Sequence, residues 1–179
     1  DLVRSRGLGD VYKRQIWLSI NLGTAFLAAS VVGQFEATIT ELVALAVLMP
    51  IVAGMGGNAG TQVLALMVRG IALGQVGASN IKPLLWKEAR VALLNGIVLG
   101  TILALIVLLW FHSIGLSVVI FVALTCNLVL AAIAGVLVPV ALKRAGYDPA
   151  LASGIFLTTV TDVMGFFTFL GLATLVLLR

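Results

Sequence analysis

The chain of 179 residues is 61% hydrophobic and 10% charged, with a mean hydropathy of +1.20 and a formal net charge of +4. Since a soluble domain carries about 25% charged residues, this composition excludes a soluble globular domain and indicates a membrane protein. A single cysteine, Cys126, excludes an intrachain disulfide framework and a cysteine-rich metal site. It lies in an apolar run, so we predict a small, buried side chain there.

The first fifteen residues, "DLVRSRGLGDVYKRQ", differ from the rest of the chain in being polar, and they carry four of its eleven basic residues. They resemble the translated adapter sequence found at the ends of metagenomic reads, and they lack the usual arrangement of a signal peptide. We therefore expect residues 1–15 to be a non-native leader outside the fold. In that case the native protein begins upstream of Ile16, and this chain is a C-terminal fragment.

Five segments are long and apolar enough to cross a membrane, where about 30 Å of hydrocarbon requires roughly 20 mostly apolar residues. Four meet this requirement directly, at residues 16–33, 91–111, 117–142 and 155–178. The fifth, 42–68, meets it if a glycine-rich interruption near its middle is tolerated. The sequence therefore predicts an all-α integral membrane protein, a bundle of five transmembrane helices.

The four connectors between these spans differ in charge, which predicts the orientation. Only the second connector, 69–90, and the fourth, 143–154, contain basic residues: Arg69, Lys82, Lys87, Arg90, Lys143 and Arg144. Basic residues mark the cytoplasmic side of a membrane protein. We therefore predict an N-terminus inside, a C-terminus outside and a multi-pass protein of the cell membrane.

The interruption reads "VLMPIVAGMGGNAGTQVLALMV" at 47–68, with four glycines between Pro50 and Gln62. Glycine costs a helix interior about 1 kcal/mol relative to alanine, and proline about 3 kcal/mol. Non-helical backbone at membrane depth is tolerated only where it is buried in protein or lines an aqueous cavity. We interpret the stretch as such backbone, with glycines that expose carbonyl oxygens and leave room for a hydrated solute.

Asp162 lies seven positions into the last predicted span, where a carboxylate costs several kcal/mol unless it faces protein, water or a cation. No predicted span contains a lysine or arginine in its interior, so an ion-pair partner is missing. The remaining alternative is a protonated, hydrogen-bonded aspartic acid, and we favour a functional role over it. Four-residue spacing places Gly154, Thr158 and Asp162 on one helical face.

The interrupted span repeats this spacing with Gly54, Asn58 and Gln62. Two stripes of small and oxygen-bearing groups, together with an unpaired aspartate, predict the walls of a water-filled path. Oxygen ligands suit a hard cation such as Mg²⁺, which dehydrates reluctantly. The sequence offers too few sulfur or imidazole ligands for zinc or copper.

Two motifs resemble the MgtE-type magnesium transporter family. They are "MPIVAGMGGNAGTQ" at 49–62, followed by "VRG" at 68–70, and "YDPALASGIFLTTVTDVMGFF" at 147–167. The resemblance covers about residues 16–179, the whole transmembrane cation-transport domain of that family. It implies a homodimer of five-helix protomers, a pore at the dimer interface and the passage of hydrated Mg²⁺.

The resemblance also implies roles for five residues. Asp162 matches the pore aspartate, which with its copy in the other protomer would hold a hydrated Mg²⁺. Gly54, Asn58 and Thr158 match positions whose oxygens approach that ion. Asp148, in the "YDPA" turn, matches an acidic residue that helps to bind regulatory Mg²⁺ at the inner mouth. A turn or helix-cap aspartate is almost equally favoured there by the sequence alone.

Two other functions fit the same residues. One is a secondary exchanger that couples cation movement to H⁺ or Na⁺ through Asp162, and the other is a non-transporting membrane assembly subunit. An enzyme is not expected, because no nucleophile–base pair, cofactor motif or phosphate loop is evident, and no nucleic-acid partner is expected. The sequence does not separate Mg²⁺ from Mn²⁺, Co²⁺ and Ca²⁺, since carboxylate and carbonyl ligands suit several of them.

Overall fold

The computed structural model describes residues 2–77 and 80–178, with side chains for all of these except 2–10, 13, 14 and 151. All regular elements in these ranges are helices: α1 Leu2–Gly33, α2 Glu36–Glu41, α3 Ala44–Ala72, α4 Ile81–Phe111, α5 Ile114–Arg144 and α6 Pro149–Leu177. Five of them are long and apolar enough to cross a membrane. The predicted all-α architecture with five spans is therefore confirmed.

Helix ends differ from the predicted span ends. α4 begins at Ile81 rather than at 91, and α6 begins at Pro149 rather than at 155. The reason is that hydropathy marks where a helix leaves the hydrocarbon, whereas caps and backbone hydrogen bonds decide where it ends. At α6, Asp148 is the N-cap and Pro149 occupies the first turn, a position that proline tolerates well.

α1 runs through residue 16 without a break, from Leu2 to Gly33. The apolar segment that qualifies as a membrane span within it begins at Gln15, one residue from the predicted start. The assignment of 1–15 to a non-native leader stays a prediction. Nearly all described side chains of α1 are exposed, so this helix is the most peripheral of the five.

α5 is the central helix of the bundle, and it packs against α3, α4 and α6. Its contact with α4 is close because small residues face it. A Cβ built on Gly96 would lie 2.9 Å from the Cα atom of Thr125, and one on Gly100 would lie 3.1 Å from the Phe121 ring. Such glycines let helix backbones approach in lipid. Cys126 lies on the exposed side of α5, so its predicted burial is wrong.

α3 continues as an α-helix from Ala44 to Ala72, with Pro50 inside it. The predicted interruption with non-helical backbone is therefore wrong. Inside a membrane an unpaired backbone group costs several kcal/mol, which exceeds the propensity cost of about 1 kcal/mol for each glycine. The glycines change which surfaces α3 offers to its neighbours, and they do not break it.

Candidate functional site

One face of α3 is packed, and two of its glycines make that packing possible. Gly56 and Gly60 are buried. A Cβ on Gly60 would lie 2.8 Å from the Leu157 side chain of α6, and one on Gly56 would lie 2.9 Å from the Cγ atom of Asn127 of α5. Real Cβ atoms essentially never approach other atoms this closely. These two glycines therefore have an ordinary structural purpose, the close approach of three helices.

The opposite face of α3 is open. A Cβ built on Gly54 or Gly57 would meet no described atom within 4 Å, and Asn58 beside them is exposed. On α6, Gly154 faces the same kind of open space. Packing inside this chain gives no reason for glycine at these three positions. We call the surface formed by Gly54, Gly57 and Asn58 the open face of α3.

Asp162 lies near the midpoint of α6, thirteen residues after Pro149, which corresponds to about 20 Å of helix. It lies further along its helix than the sequence indicated, because α6 begins six residues before the predicted span. Its side chain is half-buried. Within the part of the chain that the structure describes, its carboxylate has neither a hydrogen-bond partner nor an ion-pair partner. An ionisable residue within a membrane span is retained for function far more often than for stability.

Asp162 and the open face of α3 lie at the same depth. Gly60 of α3 packs on Leu157 of α6, and Asn127 contacts both Gly56 of α3 and Gly165 of α6. The two helices therefore run antiparallel. Since Asp162 lies between Leu157 and Gly165, it is level with the segment of α3 between Gly56 and Gly60, which contains Asn58.

Thr158 lies one helical turn before Asp162 on the same face of α6. Its Oγ1 donates to the carbonyl oxygens of Gly154 and Ile155, each at 3.1 Å. The hydroxyl proton is thus used within the helix, and the lone pairs of the oxygen remain able to accept. A water molecule held near Asp162 is the kind of donor that such an oxygen accepts.

The expectation that the glycines expose free carbonyls is wrong in one respect. Thr61 donates its hydroxyl to the carbonyl oxygens of Gly57 and Asn58, at 2.6 and 3.0 Å. These carbonyls also belong to a continuous helix, where each has an intrahelical partner. Space along the helix surface, rather than unpaired backbone, is what Gly54 and Gly57 provide.

Two other residues that the sequence singled out lie away from Asp162. Asp148 caps α6, where its Oδ1 accepts from the backbone N–H of Ala150 at 2.9 Å. It precedes Asp162 by fourteen residues, or about 21 Å of helix. Gln62 is exposed and lines a cavity of about 200 Å³ bordered by α3, α4 and α5.

Sequence reasoning missed two buried polar residues. Glu88 of α4 lines the same cavity as Gln62, and the Nζ of Lys87 lies 3.6 Å from its Oε1. The hydropathy pattern had placed Glu88 in a connector. Asn127 of α5 is fully buried, and its Nδ2 donates to the carbonyl oxygen of Val52 at 2.8 Å. An amide in the middle of the span 117–142 was the only indication of it.

The comparison with family models gives one match over most of the chain. A family described as "MgtE: Divalent cation transporter" matches residues 49–172. The matched region begins just before the glycine-rich stretch of α3 and ends near the C-terminal end of α6. It therefore contains the open face of α3, Asp162 and the whole of both motifs that carried the resemblance.

Three curated relatives are similar over nearly the whole chain, and each is named "Magnesium transporter MgtE". The relative from Bacillus subtilis is 32% identical and that from Enterococcus faecalis 35% identical, both over 163 residues or 91% of this chain. The relative from Thermus thermophilus is 34% identical over 161 residues, or 90% of this chain. The aligned region is 36% of each relative, so the chain spans about a third of their length.

Proposed function

The chain belongs to the MgtE family of divalent cation transporters, and on that premise we propose that it conducts hydrated Mg²⁺ across the cell membrane along the open face of α3. The observation that carries this proposal is Asp162, a carboxylate without a partner among the described residues, at the middle of α6 and level with Asn58. The family consists of transporters, which agrees with the expectation that the chain is not an enzyme.

The chemistry of these residues suits an ion that keeps its water. Mg²⁺ gives up its hydration shell reluctantly and is held through few carboxylates. In our proposal the carboxylate of Asp162 accepts hydrogen bonds from the water molecules around the ion, and the oxygens of Asn58 and Thr158 accept further ones. Gly54 leaves the space that these water molecules occupy. An ion held only through water binds weakly enough to leave again, which conduction requires.

One chain offers a single carboxylate to this path. Among the described residues, no three acidic, histidine or cysteine side chains come together. A second copy related by a twofold axis would bring the same surface against itself, because a twofold interface is formed by one patch on both subunits. The open face would then become an enclosed pore lined by two copies of Asp162. We therefore propose a homodimer with the pore at its interface.

The basic residues support an inward orientation of the connectors after α3 and α5. Lys82 and Lys87 lie in the first turns of α4, and Lys143 and Arg144 in the last turn of α5. Basic residues are retained on the cytoplasmic side, so we propose an N-terminus inside and a C-terminus outside. An inside-negative potential then favours Mg²⁺ entry by about 4.6 kcal/mol per 100 mV, twice the value for a single charge.

Asp148 belongs to this inner side, at the start of α6. One of its carboxylate oxygens accepts the capping hydrogen bond from Ala150, and its side chain is exposed. In our proposal the other oxygen contributes to a regulatory Mg²⁺ site at the inner mouth, in addition to the cap.

The test is Mg²⁺ flux into liposomes that contain the purified chain, at a fixed membrane potential and without a proton or sodium gradient. We expect flux from the unchanged chain, and its loss in Asp162→Asn, which removes the charge and keeps the shape. Glu36→Gln is the matched control, because it removes an exposed carboxylate from the short α2 helix. Equal flux in Asp162→Asn and the unchanged chain would contradict the proposed site, and no flux in either would favour a non-transporting assembly subunit. Flux that needs a proton or sodium gradient would instead indicate an exchanger.

A further inference from the structure

Asn127 joins the two helices that carry the proposed conduction path. Its side chain is fully buried in α5, and its Nδ2 donates to the carbonyl oxygen of Val52 in α3 at 2.8 Å. Val52 lies half a turn before Gly54, on the same stretch of helix. One hydrogen bond from the central helix therefore reaches the part of α3 that borders the path.

The same amide also contacts α6, close to Asp162. A Cβ built on Gly165 would lie 2.8 Å from the Nδ2 atom of Asn127, and one on Gly56 would lie 2.9 Å from its Cγ atom. The amide thus fits between two glycines, one on each helix, and either position would displace it if it carried a side chain. Gly165 follows Asp162 by three residues. A single side chain therefore contacts the turn of α3 after Val52 and the turn of α6 after Asp162.

Packing alone does not account for an amide at this position. The Oδ1 atom of Asn127 is buried and has no hydrogen-bond partner among the described residues. A buried acceptor without a partner costs free energy that an apolar side chain of the same size would not cost. The carbonyl of Val52 would keep its intrahelical partner without the amide. The unpaired Oδ1 therefore offsets part or all of what the hydrogen bond to Val52 contributes, so stability alone gives little reason to retain asparagine here.

The stretch of α3 that the amide contacts is also intrinsically the weakest part of that helix. Pro50 has no N–H to donate to the preceding turn, and Gly54, Gly56 and Gly57 follow within seven residues of it. Each of these residues lowers helix propensity. A helix of this composition needs an external contact to hold one position against its neighbours, and Asn127 supplies a directional one.

We propose that Asn127 is a positioning residue for the conduction path: it fixes the spacing of α3 from α6, so that Asn58 and Asp162 face the hydrated ion together. This inference rests on the proposed function. It assigns no contact between Asn127 and the ion, since the amide is enclosed by three helices. It predicts that the amide can be replaced without loss of the fold but not without loss of ion selection.

The test replaces Asn127 by leucine in the purified, liposome-reconstituted chain. Asn127→Leu keeps the number and branching of the side-chain heavy atoms, and it removes both the hydrogen bond and the unpaired acceptor. We expect an unfolding temperature equal to or above that of the unchanged chain, a clearly lower Mg²⁺ flux and a reduced ratio of Mg²⁺ to Ca²⁺ flux. Asn95→Leu, on the exposed side of α4, is the matched control and should change none of the three. Unchanged flux and unchanged selection in Asn127→Leu would overturn the proposal.

A second variant, which displaces the Asn127 amide without replacing it, keeps the test informative if leucine does not fit at position 127. Gly165→Ala places a methyl group against the amide while leaving Asn127 in the sequence. We expect the same loss of selection. Normal selection in Gly165→Ala, with Asn127→Leu unfolded, would overturn the proposal and leave the amide a purely structural role.

The spacing of α3 from α6 is measured separately from flux, so that a failure of the positioning role can be distinguished from a failure of the proposed function. Spin labels at Leu66 of α3 and Phe156 of α6, both exposed, report the distance between these helices in a Cys126→Ser background. We expect Asn127→Leu to broaden that distance distribution and Asn95→Leu to leave it unchanged. An unchanged distribution overturns the positioning role. A broadened distribution supports it even if Asp162→Asn shows that the path lies elsewhere.

Discussion

On one face of α3, Gly56 and Gly60 lie against α5 and α6, and on the other face Gly54 and Gly57 lie against open space. The four residues lie within one short stretch, and as glycines they have the same helix propensity. Their surroundings differ completely, because the first pair accommodates neighbouring side chains and the second pair accommodates none. The comparison teaches that a glycine-rich transmembrane helix can contain two separate requirements, close packing and open space, on opposite faces.

The largest expected effect comes from a leucine substitution on the open face. Gly54→Leu adds a bulky side chain where no described atom lies within 4 Å, so the fold should accommodate it. If the open face lines the path, the added side chain occupies the space of the hydrated ion, and Mg²⁺ flux should fall close to the background of empty liposomes. Gly23→Leu, at an exposed glycine of α1 that also meets no described atom within 4 Å, should leave flux unchanged. Flux close to normal in Gly54→Leu would remove the open face from the path.

On the packed face, leucine should have the opposite consequence. Gly60→Leu forces a side chain into the space that Leu157 occupies, where even a Cβ would lie 2.8 Å from it. Overpacking of a buried site typically destabilises by about 1–3 kcal/mol. We expect a clear fall in the unfolding temperature of the detergent-solubilised chain, whereas Gly54→Leu should keep it. If the two variants unfold at the same temperature, the distinction between the faces is wrong.

The two aspartates of α6 extend the comparison from glycine to charge. Asp148 has a structural partner in the N–H of Ala150, while Asp162 has none among the described residues. Loss of an N-cap costs about 0.5–2 kcal/mol, so Asp148→Ala should lower the unfolding temperature. Asp162→Ala should not lower it, since it removes an uncompensated carboxylate from the membrane. A destabilised Asp162→Ala would mean that the carboxylate has a structural partner.

These contrasts mark what the sequence could and could not predict. The five spans followed from hydropathy. Asp162 was singled out because a charge in an apolar run is visible without any structure, and its role in the path stays a prediction. The sequence did not show which glycines of α3 lie on its packed face and which on its open face, because the position of α5 beside α3 decides which face is packed. Asn127 was missed because its partner Val52 is 75 residues away, and a single amide barely alters the hydropathy of its span. Glu88 was missed because α4 extends beyond its apolar segment.

The smallest expected effect is a change in stability that should be positive on the open face of α3 and negative on its packed face. Gly57→Ala adds a methyl group that meets no described atom within 4 Å and is not at a position of positive φ. Replacing glycine by alanine at such a helical site typically stabilises by about 0.4–1 kcal/mol, chiefly because the unfolded chain has less freedom to lose. At Gly56 the same methyl group would collide with the Asn127 amide, so alanine there should destabilise. The unfolding temperatures of Gly57→Ala and Gly56→Ala test this difference, because the two glycines are adjacent, have the same helix propensity and differ in the atoms that surround them. A higher unfolding temperature for Gly57→Ala and a lower one for Gly56→Ala would support two faces with separate requirements. Shifts of the same sign would mean that the surroundings of the two glycines are alike.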